Sequence, residues 1–288
     1  MTLAARTRWL VKKGARHGVA YGSWACGSLA ARAARGTRIR AITYHRFGDV
    51  PGDPWCVAPA AFAAQMQWLA RNGLAISLDD LCAFVAGRKA LAHDAVLVTI
   101  DDGCRSTVTD ALPILRDAGV PAVVFVSAGL VGAGAVAADH DEPYATWDEL
   151  AALRAARIEI GSHAFDHRSL GRMGASEARD QAVRSRRRIE AELGAPPRSF
   201  AYPFGTRADS NAATDRMLVE VGYEVAFTAV HGAIRPGMAP IGLPRVKVEG
   251  GESLRMFELS CRGAMDAWRL VDEVVPRLAR ARTETRAR

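Results

Sequence analysis

The residues best able to do chemistry fall at two places in the chain. Asp101-Asp102-Gly103 closes the apolar run Ala95–Ile100, and Ser162-His163-Ala164-Phe165-Asp166-His167 follows the short run Ile158–Ile160. One carboxylate with two imidazoles is a ligand set for a divalent metal that leaves positions open for water and substrate. The second carboxylate is then free to act as a base. Taken singly, an Asp-Asp-Gly is a turn signal and a lone histidine is unremarkable in a core or on a surface. Placed together at strand ends, they read as the centre of a metal-dependent hydrolase.

The elements that must position them alternate. Arg40–Tyr44 reads as a strand ending at His45, and Pro59–Asn72 as a helix with Phe62, Met66 and Leu69 on one stripe. Leu74–Ser77 is strand-like. Ala95–Ile100 and Pro121–Val126 are the unbroken apolar runs of parallel strands buried on both faces, with a helix over Thr107–Ala118 between them. Strands then follow at 158–160, 199–202, 224–228 and 243–248, separated by helices at 147–154, 176–193 and 211–221. This alternation predicts an α/β fold with parallel strands, either a barrel or an open doubly wound sheet. Functional groups of such folds gather beyond the carboxyl ends of the strands. His45, Asp101, Asp102, His163, His167 and Tyr202 all fall there. Ser127–Tyr144 is rich in Gly and Ala without a period and reads as a loop insertion, and Met265–Leu278 as a final amphipathic helix before a basic tail.

The 288 residues suffice for one large domain, with 49% hydrophobic and 24% charged residues, as in ordinary globular proteins. No apolar run approaches the roughly 20 residues that span a bilayer. The net charge of +7 is uneven: residues 1–48 carry ten Lys/Arg and no acid, leaving 28 basic against 31 acidic residues in the remainder. The basic character therefore belongs to an N-terminal extension, residues 1–38, read as a solvated, partly helical arm with little bearing on the site. Its cations could also touch an anionic membrane surface. The uncharged stretch His17–Ala31 is too rich in Gly, Ser and Ala for a good signal-peptide core, and the five scattered cysteines suggest reduced thiols. Together these point to the cytoplasm, with association at the inner membrane surface and secretion the weaker alternative. The Arg184–Arg188 cluster has acidic neighbours and no aromatic or motif support for nucleic-acid binding.

Three segments in order, Thr99-Ile-Asp-Asp-Gly103, Gly161-Ser-His-Ala-Phe-Asp-His167 and Phe200-Ala-Tyr-Pro-Phe-Gly205, resemble the signature motifs of the polysaccharide deacetylase family of the NodB-homology type. Trp147-Asp-Glu-Leu150, Leu243-Pro-Arg-Val246 and Tyr44-His45 extend the likeness over residues 40–250. The resemblance implies a distorted (β/α) barrel of about seven parallel strands over residues 39–262. It also implies hydrolysis of N-acetyl groups from an acetamido sugar in a polysaccharide, oligosaccharide or lipid-linked glycan. It assigns Asp101 as base and Asp102, His163 and His167 as ligands of one divalent metal, zinc before cobalt, nickel or iron. The oxyanion falls to the backbone N–H of Tyr202.

Two places depart from the family pattern. No Leu-x-x-His follows late in the chain, which turns the general acid to His45, as in a subgroup with an early Tyr-His segment, with His231 the alternative. Ala201 stands where relatives carry an arginine that orients the base, so Arg245 either supplies that charge or forms a peripheral ion pair. Phe204 is the aromatic expected to stack on a sugar, Cys104 is expected to pack, and Asp166 either orients a ligand histidine or faces solvent. The same machinery suits an O-acetyl esterase, and the same shape an inactive carbohydrate-binding relative.

Overall fold

The computed structural model describes residues 3–30, 36–134 and 142–274. The first strand, β1 (Ile39–Tyr44), runs into a small separate ladder of β2 (Arg46–Phe47) and β3 (Cys56–Val57). β1 lies parallel to β4 (Ala95–Ile100), and the sheet continues through β5 (Ala122–Val126), β6 (Glu159–Ser162), β7 (Ser199–Ala201) and β8 (Val225–Phe227). β9 (Ile241–Leu243) adds to β8 at one edge, and β10 (Arg245–Lys247) adds to β1 at the other. These last two are halves of one extended run interrupted at Pro244, which has no N–H for a ladder. That run joins the two edges, giving a single, nearly closed parallel barrel of eight strands, where the resemblance implied about seven and the periodicity alone left an open sheet possible.

Side-chain alternation divides the core. Inward residues Ile39, Ala41, Leu97, Val123, Phe125, Val225 and Phe227 form one cluster that also takes Leu81 and Phe84 of α3 (Leu78–Val85). Outward residues such as Ile42, Val98, Val124 and Val246 join a second cluster with Phe62 and Met66 of an earlier helix (Pro59–Arg71) and Phe257 of a later one (Leu254–Cys261). β1 and β4 are buried along their whole length, the condition that continuous apolar runs satisfy. Gly161 is the inward residue of β6 beside Phe125; a Cβ there would collide with the Phe125 ring.

Some local expectations change. Leu74–Ser77 forms only a bridge, Ala75 to Val96, because Ser77 is drawn into the capping box of α3 with Asp80. The helix expected over 107–118 opens with a π turn, Thr107–Ala111, ahead of Leu112–Ala118. Pro113 cannot donate the i→i−4 bond that would continue a regular helix there. The expected helix from Met265 begins as a 3-10 turn at Asp266–Trp268 and is helical through 274; its remainder and the basic tail lie outside the described residues, as does 135–141 of the loop insertion.

The arm differs most from its reading as a solvated extension. It is one helix, α1 (Leu3–Ala30), laid against the barrel beyond β10. Arg16 is 1% exposed and donates to Glu252 at 2.8 Å and to the Lys247 carbonyl at 2.8 Å. Lys12 pairs with Glu249 at 2.7 Å, and Lys13 donates to the Gly251 carbonyl. Ala20 enters the outer core. Cations read as belonging to a free arm are therefore its attachment points, because Glu249 and Glu252 follow directly on the last strand. No helix among the described residues is long and apolar enough to cross a membrane.

Candidate active site

Every residue singled out for the site lines one cavity of about 280 Å³: His45, Asp101, Asp102, His163, His167, Tyr202, Phe204 and Arg245. His45, Asp101 and His163 are the first residues after β1, β4 and β6, so parallel alignment alone brings three of them to one rim.

The backbone then takes unusual conformations to aim the side chains. Four of the five non-glycine residues with positive φ among the described residues are Asp102 (73°), Ala164 (62°), His167 (56°) and Phe204 (61°). Strain of this kind persists where surrounding structure over-determines it, and it concentrates at functional sites. Gly103 (φ 77°) follows, and a Cβ there would stand 2.8 Å from Val126 Cγ1.

Asp102, His163 and His167 offer three ligand atoms within 4.8 Å of one another. Asp102 Oδ1 lies 3.5 Å from His163 Nε2 and 3.3 Å from His167 Nε2. That oxygen is buried and no hydrogen bond of ordinary geometry reaches it. The His163 Nδ1 is 2.7 Å from the Ala201 carbonyl, which fixes the tautomer with its Nε2 lone pair towards Asp102. Burial opposes charge on Asp102, yet the His167, His45 and His163 rings hold its carboxyl well below the usual range. A buried acceptor facing imidazole lone pairs fits a divalent cation.

Asp101 is held differently. Arg245, inward on β10, donates from Nη1 to Oδ1 and from Nη2 to Oδ2, both at 2.7 Å. The same guanidinium reaches Thr99 and Thr43 hydroxyls and the Thr228 carbonyl. Of the two readings left open for Arg245, the buried bidentate partner of the first aspartate is the one the barrel builds. Burial works against ionisation of Asp101, but Arg245 and then His163 keep its carboxyl below the ordinary value. The arginine absent at position 201 is thus replaced from across the barrel, on the strand that closes it.

Tyr202 lines the cavity, but its backbone N–H donates to the Phe227 carbonyl at 2.9 Å, and its hydroxyl donates to Asp215 at 2.6 Å. The expected oxyanion donor is therefore committed to the sheet. An N–H without an acceptor lies two residues on. Phe204 is the centre of a three-residue turn closed by Gly205 N–H to the Pro203 carbonyl at 2.7 Å, and among the described residues nothing accepts from the Phe204 N–H. Its ring is exposed and lies 4.9 Å from that of His167.

His45 lines the cavity edge-on to Trp55, ring centroids 4.5 Å apart. Burial pushes its pKa down to about 4, with Asp102 and Asp101 acting against that fall. The Lys247 ammonium sits 2.8 Å from the Trp55 ring centroid. His231, the alternative acid, is buried; Asp272 accepts from its backbone N–H at 2.8 Å and lies 3.0 Å from its Nδ1. Asp166 accepts from Gln181 Nε2, while Gln181 Oε1 accepts from the Phe165 and Asp166 N–H groups. It therefore braces the loop between the histidines rather than a ring nitrogen. Cys104 is buried and its thiol is pushed up by burial, in keeping with packing. Trp55, which with Trp147 and Tyr144 is a lesser candidate than Phe204 for stacking on a sugar, lines the cavity; Lys247, also in its lining, carried no sequence signal.

Residues 88–226 match the polysaccharide deacetylase family model. A Bacillus subtilis (strain 168) protein assigned to the same family, YxkH, is 24% identical over 76% of this chain and 75% of its own length. The poly-β-1,6-N-acetyl-D-glucosamine N-deacetylase of Escherichia coli (strain K12) is 25% identical over 75% of this chain, which covers 37% of that longer protein. IcaB from Ammonifex degensii superposes with a TM-score of 0.68 at 26% identity, over 80% of this chain and 98% of that one. The fold is similar to that of polysaccharide deacetylases, and the segment that matches their family model holds Asp101, Asp102, His163 and His167.

Proposed function

We propose that the chain is a metal-dependent deacetylase that removes N-acetyl groups from an acetamido sugar of a glycan. The observation that carries the reading is the convergence of the Asp102–His163–His167 cluster and the Arg245-held Asp101 in one cavity. The relatives named for N-deacetylation of poly-N-acetylglucosamine support the same substrate class. A divalent ion such as zinc on Asp102, His163 and His167 would supply Lewis-acid polarisation and a more acidic water.

The chain's own groups do the rest. Asp101 is ionised, and each of its oxygens keeps a lone pair beyond the Arg245 bond, so it can take a proton from water. The Phe204 N–H is free to donate to the oxyanion of the tetrahedral intermediate. His45 is neutral at rest; negative charge gathering beside it favours the imidazolium, the form that protonates the departing amine. An amide needs that proton, whereas an activated ester does not. Acetate release from N-acetylglucosamine oligomers, measured alongside an activated acetyl ester and with bound metal quantified, tests the reading. Metal-replete protein that releases acetate only from esters would overturn it. We also propose placement at the inner face of the cytoplasmic membrane, which recovery of the protein from an extracellular pool would contradict.

A further inference from the structure

A second cleft, of about 600 Å³, adjoins the catalytic cavity and lies between α1 and the C-terminal segment. Its walls are mostly apolar, with Val11 and Ala15 of α1 facing Val230, Trp268 and Val271. Three residues line both spaces: Ala229, His231 and Lys247. The partition is therefore polar where the two meet.

At that partition Lys247 is the weakly matched cation. Among the described residues the one carboxylate within 4 Å of it is Glu249, at 3.9 Å, which Lys12 and Arg16 also approach at 2.7 and 3.8 Å. His231 is 5% exposed; Asp272 holds its backbone N–H and Nδ1 side, and the buried Nε2 has no partner. With Nδ1 given to Asp272, Nε2 donates to an anion arriving beside Lys247 when the ring is the imidazolium.

The molecule therefore presents an apolar cleft beside the hydrolytic centre, with Lys247 and His231 where the two meet. We propose that the substrate is a lipid-phosphate-linked 2-acetamido sugar. Its acetamide enters the catalytic cavity, its phosphate lies at Lys247 and His231, and the first isoprenoid units of its lipid fill the cleft. The chemistry fits the layout, because the anomeric phosphate and the acetamide sit on adjacent sugar carbons. Burial opposes the Lys247 ammonium, and a phosphate at the partition would favour it. This inference rests on the deacetylase reading above.

The test uses the full chain loaded with zinc and five substrates. These are farnesyl-phospho-N-acetylglucosamine, N-acetylglucosamine 1-phosphate, farnesyl N-acetylglucosaminide, methyl N-acetylglucosaminide and a β-1,6-linked N-acetylglucosamine tetramer. The phospho-farnesyl compound is expected to exceed the methyl glycoside in kcat/KM by at least about a hundredfold, roughly tenfold from each of phosphate and lipid. Lys247→Met should abolish the gain from phosphate, and Val11→Asp the gain from farnesyl. Val11 is 68% exposed, so its substitution does not threaten folding. The tetramer emerging as the best substrate, or no gain from phosphate and lipid, overturns the lipid-phosphate inference while the deacetylase reading stands. No acetate from any of the five overturns both.

Discussion

The two sides of the catalytic cavity are built on opposite terms. On the Asp101–His163 side the polar groups are matched by protein: Arg245 grips both oxygens of Asp101, and the Ala201 carbonyl holds His163 Nδ1. On the His45–His231 side, His45 Nδ1 and His231 Nε2 are buried without hydrogen-bond partners. The first side is preorganised before anything binds. The second leaves its hydrogen-bonding capacity for whatever enters, which concentrates substrate discrimination there.

The largest effects should come from the Asp101–His163 side and from Asp102 beside it. Asp102→Ala and His163→Ala should each lose bound metal and at least about a thousandfold in acetate release, read by metal analysis beside a kinetic assay. Asp101→Asn should retain metal yet lose about a hundred- to ten-thousandfold in kcat. If that variant instead lost metal, Asp101 would belong to the ligand set and the division of labour between the two aspartates would fail.

Removing the partner of the base tests the same side through stability. Arg245→Met leaves a buried carboxylate unpaired and should cost about 3–5 kcal/mol in denaturant unfolding. It should also move the acid limb of the pH–kcat/KM profile upward, since Arg245 is what holds Asp101 below its ordinary value against burial. An unmoved limb would mean that the arginine acts only as a brace. Gly161→Ala should cost about 1–3 kcal/mol, through the collision with Phe125 beneath the site.

The smallest effect belongs to the unmatched side. His45 titrates near 4 in the folded metal-free chain and near 6.5 when unfolded, so the unfolded chain binds more protons between those values. Stability from this group is complete above about 6.5 and falls as pH drops towards 4. His45→Gln should flatten that part of the thermal-stability profile, and should impair amide cleavage more than cleavage of an activated ester. Equal loss on both substrates would remove His45 from the role of acid.

Most of the catalytic set was legible because parallel strands deliver their ends to one rim. His45, Asp101 and His163 needed only the apolar runs before them to be recognised, and residue type supplied the rest. The misreadings share a cause. Whether the Tyr202 N–H is spent on Phe227 depends on the pairing of β7 with β8, and nothing in Phe200-Ala-Tyr-Pro-Phe-Gly205 reveals it. Lys12 and Arg16 looked like solvated charge because their partners, Glu249 and Glu252, lie more than two hundred residues away.

Sequence alone therefore determined the alternation of elements, the strand-end carboxylates and imidazoles, and the family those residues resemble. These follow from local periodicity and residue chemistry, which are written in short windows. Tertiary structure decided which cation holds Asp101, which backbone N–H remains to donate, and that α1 forms a wall beside the site. Those are long-range pairings, settled only when barrel closure brings the 241–247 run against β1 and sets each buried charge against its counter-charge.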